Sequence, residues 1–171
     1  AKVYPDEVLG APNAFILAFM GAKRGSLWTP MVQLIFSTVY LGIAHGALEA
    51  AREYTRTQTR PWTPAGVKKA TDDPYIVRTY GEFAIALQGA DAAAREAGRL
   101  LQQVWAKGDA LTPQDRGELM VKVAGVKALS TQVALDVTSR MFEVIGSRGT
   151  HPRYGFDRFW RNVRTHSLHD P

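Results

Sequence analysis

Three short stretches hold side chains whose types and spacing suit chemistry. In YTRTQTRPW, residues 54–62, Arg56 and Arg60 stand four apart and would share one face of a helix. A guanidinium is a planar fork that grips phosphate oxygens through paired hydrogen bonds, so such a pair suits a phosphorylated ligand. Basic residues also collect at helix C-termini because the macrodipole favours them there, and spacing alone leaves both readings open. In GSRGT, residues 146–150, two glycines flank Ser147 and Arg148, and Thr150 follows. Backbone N–H groups in such a turn can converge on an anion, with a guanidinium and hydroxyls beside them. A glycine helix stop followed by a plain loop reads equally well.

The third stretch is the end of the chain, SRGTHPRYGFDRFWRNVRTHSLHDP, with five arginines, three histidines and four aromatic residues. Phe156, Phe159, Trp160 and Val163 follow helical spacing and are expected to form one buried face, with Arg158, Arg161 and Arg164 on the other side. That reads as a short amphipathic helix docked on the rest, and only weakly as a stacking surface for nucleic acid. His166 and His169 are three apart, which would let both touch one metal, but a zinc site needs a third protein ligand. An imidazole pair at the edge of a cofactor pocket, giving or holding a proton near neutral pH, is chemically easier; two surface histidines near a terminus remain the plain alternative.

Long helices must position these groups. Thr29–Pro30, Asp73–Pro74 and Thr112–Pro113 each pair a capping side chain with a proline at the first helical position. Asp115 adds a capping-box partner for Thr112. The helices are expected to run from these starts to about Thr59, to Gly108 and to Gly146, and a shorter one over residues 14–22. The opening AKVYPDEVLGAPN reads as a strand end passing into a loop. Three helices of about 30 residues with tight connections predict an all-α, up-and-down bundle. Apolar residues on more than one face imply burial against another chain or domain.

Composition narrows the classes. The 171 residues are 46% hydrophobic and 22% charged, as in one globular domain. The absence of cysteine excludes disulfides, thiolate metal sites and cysteine nucleophiles, and fits a cytoplasmic location. The net charge of +5 suits an anionic partner or plain solubility. The most apolar window, LIFSTVYLGIA over residues 34–44, is shorter than the ~18 residues of a membrane span. Neither a membrane nor nucleic acid is expected as a partner.

PDEVLGAPNAF, YLGIAHGALEAAREYTRTQTRPW and FEVIGSRGTHPRYGFDRFWRNVRTHSLHDP together resemble the C-terminal helical domain of the dibenzothiophene monooxygenases. These flavin-dependent desulfurisation enzymes share the acyl-CoA dehydrogenase fold. The resemblance implies a two-component reaction in which reduced FMN, supplied by a separate flavin reductase, and O2 convert the sulfur of dibenzothiophene to sulfoxide and then sulfone. It implies that Arg60 holds the FMN phosphate, and that Ser147, Arg148, Gly149 and Thr150 contact the flavin tail from a neighbouring subunit of a homotetramer. Asp170 joins the expected cofactor contacts. His169 is the expected catalytic imidazole, with His166 as a second wall of the pocket, and no metal is expected.

The HDP at residues 169–171 stands where many acyl-CoA dehydrogenases carry Tyr-Glu-Gly with the catalytic glutamate, which disfavours dehydrogenation. That enzyme class, or a non-catalytic oligomerisation bundle, is the alternative. The resemblance also implies an N-terminal helical domain and a β-domain before this bundle and a tail after it. Residues 1–12 are then the end of the β-domain, residues 13–171 the helical domain, and the chain a piece of a longer enzyme.

Overall fold

The computed structural model describes residues 22–169. Among them are four α-helices and no strand: α1 (Trp28–Thr57), α2 (Pro74–Ala106), α3 (Pro113–Ile145) and α4 (Asp157–Ser167), linked by short 3-10 turns. This is the expected all-α bundle. The expected strand end, the short helix from residue 14 and Asp170 lie outside the described residues.

Two of the three proline-marked starts behave as expected. Asp73 caps α2 by accepting the Tyr75 N–H at 3.0 Å, and Thr112 caps α3 with both bonds of its capping box to Asp115 in place. Thr29 differs. A 3-10 turn over Lys23–Leu27 runs straight into α1, so the cap position falls at Leu27 and Thr29 is already inside the helix.

α1 packs chiefly on α3 and less on α2. Its buried stripe, including Leu34, Leu41, Ala44, Ala47 and Ala51, recurs every three or four residues. The small alanines let the helix axes approach. By length and composition this helix could cross a membrane, a wider match than the 34–44 window implies, but its stripe is used as bundle core. Ile35, Val39, Ile85 and Val121 stay 44% to 76% exposed in this chain. The second apolar faces flagged by the sequence are therefore uncovered here.

Hydrogen bonds fix the helix directions. Thr55 Oγ1 donates to the Val144 carbonyl at 3.2 Å, and Thr59 Oγ1 to the Ile145 carbonyl at 3.4 Å. The C-terminal ends of α1 and α3 therefore lie together, and the two helices run parallel. α2 is antiparallel to α1, with Thr55 bonded to Tyr80 at 2.7 Å and His45 to Asp91 at 2.9 Å. α4 returns antiparallel along α1: Phe156 meets Tyr54, Phe159 lies against Gly46, and His166 meets Tyr40. Its inner stripe is Phe156, Phe159, Val163 and His166. Trp160, expected on that stripe, is 38% exposed because it lies one position past Phe159 and so about 100° round the helix.

Asp73 joins fold to site. It is 1% exposed, caps α2 with one oxygen and accepts the Trp62 N–H at 3.2 Å with the other, pinning the segment that carries Arg60. Replacing Asp73 with alanine is expected to lower the unfolding free energy by about 1–2 kcal/mol in urea titration, as loss of a cap does. A loss under ~0.5 kcal/mol, the low end for caps, would show that this carboxylate does not secure the junction.

Candidate functional site

α1 stops at Thr57, so Arg56 and Arg60 do not share a helix face as their spacing suggested. The reason is Pro61, which disfavours helical geometry at the residue before it. Arg56 lines a groove of about 450 Å³ between α1 and α2 with Arg52, Leu48 and Tyr80. Arg60 sits on the connecting segment in a separate concavity of about 650 Å³, whose walls include Trp62, Tyr75, Glu143 and Gly146. The Trp62 and Tyr75 rings meet edge to face at 6.0 Å. Both carboxylates near Arg60 are already engaged, Glu143 by Arg140 at 3.1 Å and Asp73 by backbone amides. Arg60 is exposed and has no acidic partner among the described residues.

The turn after α3 lies at the same end of the bundle. Gly146 has φ 77° and ψ 171°, a conformation open to glycine, and the chain then makes 3-10 turns over Ser147–Thr150 and Pro152–Tyr154. Gly149 serves a steric purpose. A Cβ there would stand 2.5 Å from Ile145 Cδ1, so only glycine lets the turn close onto the end of α3. Its N–H bonds the Gly146 carbonyl at 3.0 Å and so does not point at an anion, contrary to the reading of the glycine pair as converging donors. Thr150 Oγ1 likewise closes the turn on the Ser147 carbonyl at 2.7 Å. Ser147 and Arg148 remain exposed, and no carboxylate pairs with Arg148 among the described residues.

Ser147, Arg148 and Thr150 border a concavity of about 500 Å³ shared with His151, Arg153 and Tyr154. The last three had no sequence signal beyond sitting near the arginines. His151 Nδ1 accepts the Arg153 N–H at 3.2 Å, so in its neutral form Nε2 carries the hydrogen. The Arg153 guanidinium lies 4.5 Å over the Tyr154 ring and bonds its phenol oxygen. Hydrogen bonds from Tyr54 and then Arg153 hold the Tyr154 phenol below its ordinary pKa, whereas burial pushes Tyr54 up. Such a cluster stabilises negative charge. Only packing reveals it, since Tyr54 belongs to α1.

The histidines lie at the other end. His166 is half-buried and His169 exposed, and their rings stack at 5.8 Å with an interplanar angle of 13°. Phe36 meets both edge to face, at 4.6 and 5.7 Å. Tyr40, 1% exposed, brings its hydroxyl within 3.0 Å of His166 Nδ1. Among the described residues no third His, Asp or Glu joins the pair to make a metal-binding group. From Tyr40 to Thr57 along α1 is about 26 Å at ~1.5 Å per residue, and Arg60 lies beyond Thr57.

Two kinds of surface result. Unpaired guanidiniums beside exposed hydroxyls fit a phosphate monoester. The aromatic and imidazole edges at Phe36, His166 and His169 fit a flat ring that exchanges hydrogen bonds.

The chain is 78% identical over 170 residues to a dibenzothiophene monooxygenase of Rhodococcus erythropolis, covering 99% of this chain and 41% of that relative. It is 44% identical to a Pseudomonas putida protein described as a probable FMNH2-dependent monooxygenase, SfnC, over 99% of this chain and 42% of that one. The crystal structure of TdsC from Paenibacillus sp. A11-2 in complex with FMN and indole superimposes with a TM-score of 0.86 and 53% identity, over 99% of this chain and 42% of that one. The chain thus spans about two fifths of the length of the curated relatives it matches. Residues 34–171, which hold nearly all of α1, all of α2 to α4 and both clusters, match the family described as acyl-CoA dehydrogenase, C-terminal domain. Sequence match and helix order agree, and the chain belongs to the acyl-CoA dehydrogenase C-terminal domain family.

Proposed function

We propose that this chain is the helical part of the active site of a two-component, FMN-dependent monooxygenase that oxidises the sulfur of dibenzothiophene to sulfoxide and sulfone. The observation that carries the reading is the pair of carboxylate-free guanidiniums, Arg60 and Arg148, on segments that meet at the α1 and α3 C-termini. A folded protein of mixed charge pairs most interior-facing arginines, as Arg140 is paired here with Glu82, Asp136 and Glu143. Cations left open beside a concavity are available to an anionic ligand. Similarity to a TdsC crystallised with FMN supports the reading of that anion as the FMN phosphate.

In this reading Arg60 and Arg148 grip the phosphate, with Ser147 and Thr150 beside it, and Gly149 lets the turn sit close. FMN, when bound, supplies the activation of O2. Phe36 packs against His166 and His169 and holds both rings at the edge of the reacting region. His169, with Asp170 next to it in the sequence, donates or holds a proton at its imidazole. One mononucleotide cannot span the ~26 Å of α1 between the clusters, so the cations of one subunit serve the imidazoles of another. A homo-oligomer, a tetramer in this proposal, is therefore part of the site. Reduced FMN arrives from a flavin reductase in the cytoplasm.

In the full-length enzyme, replacing Arg60 with alanine is expected to raise the Kd for FMN about tenfold or more, the worth of a charge-assisted hydrogen bond. Riboflavin, which lacks the phosphate, should bind both forms equally; equal losses for the two flavins would remove Arg60 from the phosphate. Replacing His169 with alanine is expected to keep FMN bound and cut sulfoxide formation ~100-fold or more, the scale of a lost acid–base group. Turnover at the parent rate would take His169 out of the chemistry.

A further inference from the structure

Tyr40 lies on α1, seventeen positions before its end, in the buried stripe of the bundle and far along the chain from His166, which it meets. A phenol that is 1% exposed must satisfy its hydroxyl inside the protein. Here it lies within hydrogen-bonding distance of two atoms of one residue, His166 Nδ1 at 3.0 Å and the His166 main-chain carbonyl oxygen at 3.3 Å. The Tyr40 and His166 rings stand 5.5 Å apart and 67° to one another. Phe36 closes another side of the imidazole at 4.6 Å, and His169 stacks on it. The ring is thus confined on several sides, with one nitrogen facing the core and the other facing away from Tyr40.

We propose that Tyr40 is a positioning residue that fixes the orientation and tautomer of His166, so that Nε2 is a standing N–H donor on the side away from the core. In neutral His166, under this proposal, the phenol proton goes to the nearer atom, Nδ1, and the imidazole hydrogen is left on Nε2; the opposite tautomer, with Nδ1–H donating to the phenol oxygen and the phenol to the carbonyl, is the arrangement the test distinguishes from it. In charged His166 the Nδ1–H donates to the phenol oxygen, and the phenol proton turns to the carbonyl at 3.3 Å. One hydroxyl therefore satisfies both protonation states, and Nε2 keeps its hydrogen in each. That N–H is a fixed donor for an oxygen acceptor at the site, and the ring carrying it also supports the stacked His169. This role rests on the flavin monooxygenase reading for its importance to turnover, while the tautomer assignment rests on the shorter of the phenol's two contacts with His166.

The test uses the full-length enzyme labelled with 15N-histidine and its Tyr40→Phe variant, which keeps the packed ring and removes only the hydroxyl. Solid-state NMR reads the protonation of each ring nitrogen, with His166 assigned by the loss of its signals in His166→Asn. The wild type should show a bare Nδ1 and a protonated Nε2 at a pH where His166 is neutral. Y40F should show a mixture of the two tautomers. With FMN and dibenzothiophene, kcat should fall about tenfold or more in Y40F, the scale of a misplaced reacting group, with the FMN Kd unchanged. A wild type with hydrogen on Nδ1, or identical patterns in the two proteins, overturns the assignment; a shifted tautomer with unaltered kcat overturns its part in the reaction. Should Y40F fail to assemble, the wild-type tautomer still decides. A wild type that neither binds FMN nor turns over sinks the monooxygenase reading while leaving the tautomer measurement intact.

Discussion

The parallel seating of α1 on α3 governs where every functional group can be. Helix C-termini leave their last carbonyls without intrahelical partners. Two of those at the end of α3, Val144 and Ile145, are satisfied by the hydroxyls of Thr55 and Thr59. Those bonds bring the segment bearing Arg60 and the turn bearing Arg148 to one end of the bundle. The chain then has to return, and α4 runs back along α1 through Phe156, Phe159 and Val163. Its histidines are thereby delivered to the opposite end. A helix is stiff over this length, so the separation of cations from imidazoles is a fixed property of the subunit.

Charge is sorted along the same lines. Arg140 draws Glu82, Asp136 and Glu143 around itself, and with Arg78 it holds Glu82 below the usual carboxylate range. Exposed pairs of this kind add little stability. Their effect on the site is of another sort, because carboxylates engaged there do not neutralise Arg60. Around Tyr154 the same bias appears in the phenol itself, acidified by its hydrogen bonds from Tyr54 and Arg153. The end of the bundle where Arg60 and Arg148 have no carboxylate partner among the described residues suits a phosphate, and the end that gathers Phe36, Tyr40 and two imidazoles suits an aromatic ring.

Local chemistry wrote some of this plainly into the sequence. Asp73–Pro74 and Thr112–Pro113 are starts whose caps act within three residues, so they could be read without a structure. Thr29–Pro30 looked the same and is not a cap, because the preceding turn over Lys23–Leu27 merges with the helix. The Arg56–Arg60 spacing misled for a similar reason, since the approach to Pro61 ends the helix first. Arg60, Arg148 and the histidine pair were visible as candidates, whereas Tyr40, Tyr154 and the purpose of Gly149 were not. Each of those depends on a partner far along the chain: His166, Tyr54, and the packing of a turn on Ile145. Gly149 looked like a glycine that exposes backbone to an anion, and it is one that makes room.

The central claim is that one subunit's guanidiniums work with another subunit's imidazoles, and mixed oligomers test it most directly. Full-length Arg60→Ala and His169→Ala chains would be co-expressed and assembled together, and assayed at an FMN concentration well below the raised Kd of Arg60→Ala, where each parent alone has little activity. If the site is shared, some sites combine an intact Arg60 from one chain with an intact His169 from the other, and sulfoxide formation from dibenzothiophene rises well above either parent. If Arg60 and His169 of a single chain serve the same flavin, every site carries a lesion, and activity no greater than that of the parents would contradict the account.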